Sequence, residues 1–76
     1  MRMLKLKDIV KYHRKQAGLS RRELSDLSGV STTFLSDLEG GKETLQFDKV
    51  LNVLKTLNIS MVFESPIMKE LNDEES

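Results

Sequence analysis

The chain has 76 residues with twelve Lys/Arg against twelve Asp/Glu, one His and no Cys. One domain is the expected size class, and its core is small enough that dimerisation would help to stabilise it. Disulfides and cysteine-ligated metal are excluded, a single His argues against structural zinc, and no apolar run approaches a membrane span, so a soluble cytoplasmic protein without cofactors is expected.

Zero net charge at first argues against nucleic acid, but the distribution reverses that. Residues 1–42 carry nine Lys/Arg and five acids, a sum of +4, and residues 43–76 carry three Lys and seven acids, a sum of −4. A basic half and an acidic half suggest two different partners, although such asymmetry also arises in an ordinary solvated surface.

Leu6 to Ala17 reads as an amphipathic helix with Leu6, Ile9, Val10, His13 and Ala17 on one stripe, ended by Gly18. His13 on that stripe is expected to be a half-buried core residue.

A second helix opens at Ser20, with Glu23 three residues on. This is a capping box, in which the serine oxygen accepts from the Glu23 N–H and the carboxylate reaches back. Leu24 and Leu27 supply its apolar face, and Gly29 ends it where a left-handed residue is needed. Val30 is apolar and Ser31 caps a third helix. There Leu35 and Leu38 point inward, leaving Thr32, Thr33, Ser36 and Asp37 on a face of short polar groups. A DNA major groove accepts such a helix. Gly40-Gly41-Lys42 then offers backbone N–H groups and a charge to a phosphate, or is only a connection. The spacing and preceding strand of a nucleotide-binding loop are absent.

Phe47 to Leu57 is the fourth helix, with Phe47, Val50, Leu51, Leu54 and Leu57 as its stripe and Asn58 as its left-handed end. Then the period becomes two. Ile59, Met61 and Phe63 share one side of a strand, Ser60, Val62 and Glu64 the other, and Pro66 stops it. A lone strand is an edge that seeks a partner, here the same strand of a second copy; an extended tail laid on the bundle is the other reading. The acidic residues 66–76 are expected to be flexible, with at most one helical turn near Ile67–Leu71.

The spacing of these helices resembles the helix-turn-helix of the phage-repressor (Xre/Cro-like) family, over roughly residues 6–59. The matching residues are Leu24, the Gly29-Val30 turn, Leu35, Leu38 and the Glu39-Gly40-Gly41-Lys42 exit. Ser25 departs from the family's usual Ala and is small enough to keep the two helices close. With KVLNVLKTLNISMVF following, the chain is most similar to the HipB-type antitoxins, whose C-terminal strands pair across a dimer.

The resemblance implies a mainly α fold of four to five helices plus one C-terminal strand. The helix-turn-helix domain would be residues 1–59, the dimerisation strand residues 60–65 and the tail residues 66–76. It implies a non-enzymatic repressor that binds double-stranded operator DNA as a homodimer, a HipA-type kinase toxin as second partner, and autorepression of their operon. Thr32, Thr33 and Ser36 would meet base edges, Ser31 less freely because it is a cap, and Asp37 would accept from cytosine N4. Arg21, Arg22 and Lys42 would hold phosphates. Ser60, Met61, Val62, Phe63 and Glu64 would form the dimer contact, and Arg14 would pair with Glu39. A stand-alone Xre-type regulator stays open, as does a helical protein-interaction module without DNA binding. The latter is favoured by the absence of long base-reading side chains between Ser31 and Glu39.

Overall fold

The computed structural model describes residues 5–62. Four helices follow one another: α1 (Leu6–Gln16), α2 (Arg21–Ser28), α3 (Thr32–Glu39) and α4 (Phe47–Thr56). Helix α3 packs on α1 and α2, and α2 also packs on α4. The core between them is Val10, Leu24, Val30, Leu35, Leu38, Val50, Val53 and Leu54. Leu19, Phe34, Leu45, Leu57, Ile59 and Met61 close over its edges.

Local chemistry sets the helix ends. Ser20 forms the expected capping box: Glu23 N–H donates to Ser20 Oγ, and Ser20 N–H donates to Glu23 Oε1, both at 3.0 Å. The Ser20 backbone N–H foremost, and then the Ser20 hydroxyl, hold the Glu23 carboxyl below its usual range. Ser31 caps α3 by accepting from Phe34 N–H at 3.0 Å. Helices α1, α3 and α4 end alike. In each, the N–H of the second residue past the cap reaches back five residues: Leu19 to Arg14, Lys42 to Asp37 and Ile59 to Leu54. Asn58 adopts the expected left-handed conformation, with φ of 58°.

Several inward faces differ from the sequence expectation. His13 and Ala17 are exposed, and Arg14 is buried beside Val10 in their place. Leu6 also stays 38% exposed. Val10 and Arg14, four apart and about 40° from each other on the wheel, mark the inward line of α1; His13, three from Val10, lies about 60° to the other side, and Leu6 and Ala17 stand at the two ends of the helix. In α2, Leu27 is 64% exposed, while Ser28, four residues from Leu24, is half-buried. In α4 the buried stripe is Val50, Val53 and Leu54; Phe47, at the first turn, is 55% exposed. Val53 was not on the expected stripe.

Residues 60–62 lie in no regular element, with Met61 half-buried and Val62 exposed. A strand that pairs across a dimer forms no ladder within one chain. Phe63, Glu64, Pro66 and the helical turn expected near Ile67–Leu71 lie outside the described residues. None of the described helices is long and apolar enough to cross a membrane.

Candidate nucleic-acid interface

The turn between α2 and α3 begins at Gly29, with φ of 78° and ψ of 8°. An L-residue with a Cβ is strained there, so glycine is required by the backbone. Across the turn, Ser25 Oγ donates to the Val30 carbonyl. The family's Ala has no hydroxyl, so Ser25 is more than a tolerated small residue: it ties α2 to the entry of α3. Val30 is buried under the turn and fixes the angle at which α3 leaves it.

Leu35 and Leu38 anchor the inner face of α3, both essentially without solvent contact. Ser31, Thr32, Thr33 and Ser36 are all exposed on the other side. The four hydroxyl side chains lie on one outward-facing turn and a half, free of side-chain partners except for the cap bond at Ser31. Hydroxyls both donate and accept, and threonine adds a methyl. Phe34 lies half-buried at the edge, with Lys49 Nζ 5.9 Å from its ring centroid.

A charge cluster fastens the back of this helix. Arg14 Nε donates to Glu39 Oε2 at 2.8 Å, and Nη2 donates to Oε1 at 2.9 Å. Arg14 Nη1 donates to the Leu19 carbonyl at 2.8 Å. The expected pair between the first helix and the end of the third is therefore present, in the bidentate geometry that suits a planar guanidinium. Only 1% of the Glu39 side chain is exposed. Burial pushes its carboxyl up, but the Arg14 hydrogen bond, the Arg14 charge and the nearby Arg21 outweigh this and leave it below its usual range. Reciprocally, the Glu39 hydrogen bond raises Arg14, against burial.

Arg21 is the third member. Its Nε lies 3.4 Å from Glu39 Oε1 while 45% of the side chain stays exposed. Glu39 thus holds one edge of the Arg21 guanidinium at the start of α2 while nearly half of the side chain stays open to solvent. Arg22 beside it is exposed.

Just past Glu39, at the C-terminal end of α3, the expectation changes. The N–H groups of Gly40, Gly41 and Lys42 donate to the carbonyls of Ser36, Leu38 and Asp37 at 2.9, 3.2 and 3.0 Å. They finish the helix and are not offered to a ligand, so only the Lys42 side chain remains for the phosphate role expected of this loop. Lys42 Nζ lies 3.6 Å from Asp37 Oδ2, an exposed pair that brings two expected DNA contacts together and offsets their charges. Sequence reasoning missed this pair, as well as the Ser25 bond and the Arg21 contact. The first was legible as an i, i+5 pairing across a helix end; the others depend on side-chain directions across the turn.

The comparisons agree with this geometry. The sequence model described as "Helix-turn-helix" matches residues 10–63. An uncharacterized HTH-type transcriptional regulator, y4mF, from Sinorhizobium fredii (strain NBRC 101917 / NGR234) is 43% identical over 58 residues, 76% of either protein. Among solved structures, HipB in a HipB–O4 20mer complex superposes with a TM-score of 0.73 at 20% identity, covering 87% of this chain and 99% of that one. A chain of the HipA–HipB–O2–O3 complex gives the same score and identity over 87% and 97%. The restriction–modification controller protein C.Esp1396I gives 0.64 at 21% identity, over 92% of this chain and 84% of that one. At these identities the structures establish the shared fold. With the family match spanning residues 10–63, the chain belongs to the helix-turn-helix family of Xre-type transcriptional regulators.

Proposed function

We propose that this chain is a sequence-specific repressor that reads operator DNA through α3 as a two-fold homodimer. The observation that carries this reading is the two-sided character of α3. Leu35, Leu38 and the Arg14–Glu39 pair lock one side, while Thr32, Thr33 and Ser36 present unpaired hydroxyls on the other. In the major groove these groups meet base edges, with Thr methyls against thymine methyls. Ser31 contributes less because its oxygen caps the helix. Asp37 reaches cytosine N4 only by giving up Lys42. Arg21 and Arg22 hold phosphate at one edge and Lys42 at the other, fixing register without reading sequence.

The dimer contact is assigned to residues 60–65 (Ser60, Met61, Val62, Phe63, Glu64 and Ser65), which follow a helix-turn-helix domain of residues 1–59. Met61 packs on the core edge and, with Phe47, Leu51 and Ile59, lines an apolar groove of about 420 Å³ beside α4. A short two-stranded ribbon is marginal by itself, and this groove supplies the apolar surface it needs. Pairing across a two-fold axis sets two recognition helices about 34 Å apart, one turn of DNA.

The likeness to HipB, seen in one solved complex with HipA, supports a finer role. In that role the chain is the antitoxin of a toxin–antitoxin operon, binds a HipA-type kinase and represses its own transcription on the nucleoid in the cytoplasm. Binding to the DNA upstream of its own reading frame, against a scrambled duplex of equal length, tests the repressor role. Copurification with a kinase encoded in the adjacent frame tests the antitoxin role; a neighbouring frame of another kind leaves a stand-alone regulator.

A further inference from the structure

The Lys42 charge, expected to grip DNA beyond α3, is spent on Asp37 at 3.6 Å. A second cation lies beside it. The Lys7 stem runs over Gly41, so that a Cβ on Gly41 would stand 3.0 Å from Lys7 Cδ and 3.8 Å from Nζ. Gly41 also has φ of 87°. Two independent constraints therefore keep a side chain off this position, and the second leaves room for Lys7 to cross it. Lys5, Lys7 and Lys42 line one groove of about 500 Å³ between the start of α1 and the loop after α3, with Glu43 as its acidic member. Among the described residues, neither Lys5 nor Lys7 belongs to a salt bridge.

Resting on the DNA-binding reading, we propose that Lys7, laid across Gly41, is a DNA phosphate contact at the far edge of the recognition helix, and that it carries more of that contact than Lys42. Charge complementarity selects the occupant. Lys42 with Asp37 sums to zero, and Lys5 and Lys7 against Glu43 leave the groove one positive charge in surplus; of the two, Lys7 is the one laid across Gly41 at the end of α3. Lys7 is also half-buried, with its stem against Gly41, so it has less rotamer entropy to lose on binding than a fully exposed lysine. The Asp37–Lys42 pair joins the groove to the exposed face of α3, making it continuous with the base-reading surface.

The test measures binding of the full chain to the DNA duplex upstream of its own reading frame, and to a scrambled duplex, across a salt series. The variants are Lys7→Met, which keeps the stem and removes the charge, Lys7→Arg and Lys42→Met. Thermal unfolding of each variant reports folding separately. The proposal expects K7M to lower affinity severalfold at about 50 mM salt for both duplexes and to make the log–log salt slope shallower by about 0.9. K7R should keep the wild-type slope, and K42M should change it less than K7M does. A K7M slope that superimposes on wild type, or a larger change in K42M, overturns the proposal while leaving the DNA-binding reading intact. A wild-type chain that shows no salt-dependent binding to either duplex overturns both.

Discussion

Replacing Arg14 by Met probes the ion pair beneath the recognition helix. Methionine preserves most of the buried stem but removes three hydrogen bonds, two to Glu39 at 2.8 and 2.9 Å and one to the Leu19 carbonyl at 2.8 Å. Glu39 is then left with a side chain 1% exposed and only Arg21, at 3.4 Å, as a charged partner. Breaking a buried pair by removing one member costs about 3–5 kcal/mol. Arg21 offsets part of this, so the expected loss is near the lower bound, about 3 kcal/mol. Proteins of this size are stable by only about 4–11 kcal/mol in total. The melting temperature should fall by roughly 12–24 °C, at about 4–8 °C per kcal/mol for a domain of this length. Urea and thermal unfolding followed by circular dichroism measure both quantities. The double variant Arg14→Met with Glu39→Leu should recover to within about 1 kcal/mol of wild type, because an apolar pair no longer strands a charge. A loss below about 1 kcal/mol for Arg14→Met alone would refute the reasoning, since that is the value of an exposed pair.

Three further outcomes are expected. The Glu39 carboxyl is held below its unfolded range, so its contribution is fully present above about pH 4.3 and is lost as pH falls through the lower folded value. A urea titration should therefore show wild-type stability declining below about pH 4.3, and Glu39→Gln should make that decline shallower, leaving the part due to Glu23. Ser20→Ala removes the acceptor for Glu23 N–H and should cost about 1 kcal/mol, seen as a lower urea midpoint with an unchanged slope. Val62→Pro removes a backbone donor from the proposed ribbon and should abolish the dimer in sedimentation while the helical circular dichroism persists; a micromolar dimer would shift the interface to α4.

The parts of the fold set by neighbours in sequence were legible. Ser20 with Glu23, Gly29 at the turn, Ser31 at the cap and Asn58 at the end of α4 each act through bonds spanning at most five residues. Leu35 and Leu38 were legible because α3 has one apolar direction. Leu27 and Phe47 were not, since hydrophobicity alone does not say which apolar residue of a short helix meets a neighbour. The periodicity of α1 placed Arg14 on its flank, and only the family resemblance implied the pair with Glu39. The Asp37–Lys42 offset and the Lys7 crossing of Gly41 depend on how α1 meets the loop after α3, which no local pattern encodes.

The central claim, that α3 reads bases while the start of α2 holds backbone, is tested most directly by comparing Thr33→Ala with Arg21→Ala on the upstream duplex and its scrambled counterpart. Both residues are exposed, and thermal unfolding controls for the Arg21 contact with Glu39. Thr33→Ala should lose about 1–3 kcal/mol on the upstream duplex alone and keep the salt slope. Arg21→Ala should weaken both duplexes about equally and make the slope shallower by about one. Equal losses on both duplexes from Thr33→Ala, or a loss of sequence preference from Arg21→Ala, would contradict the account.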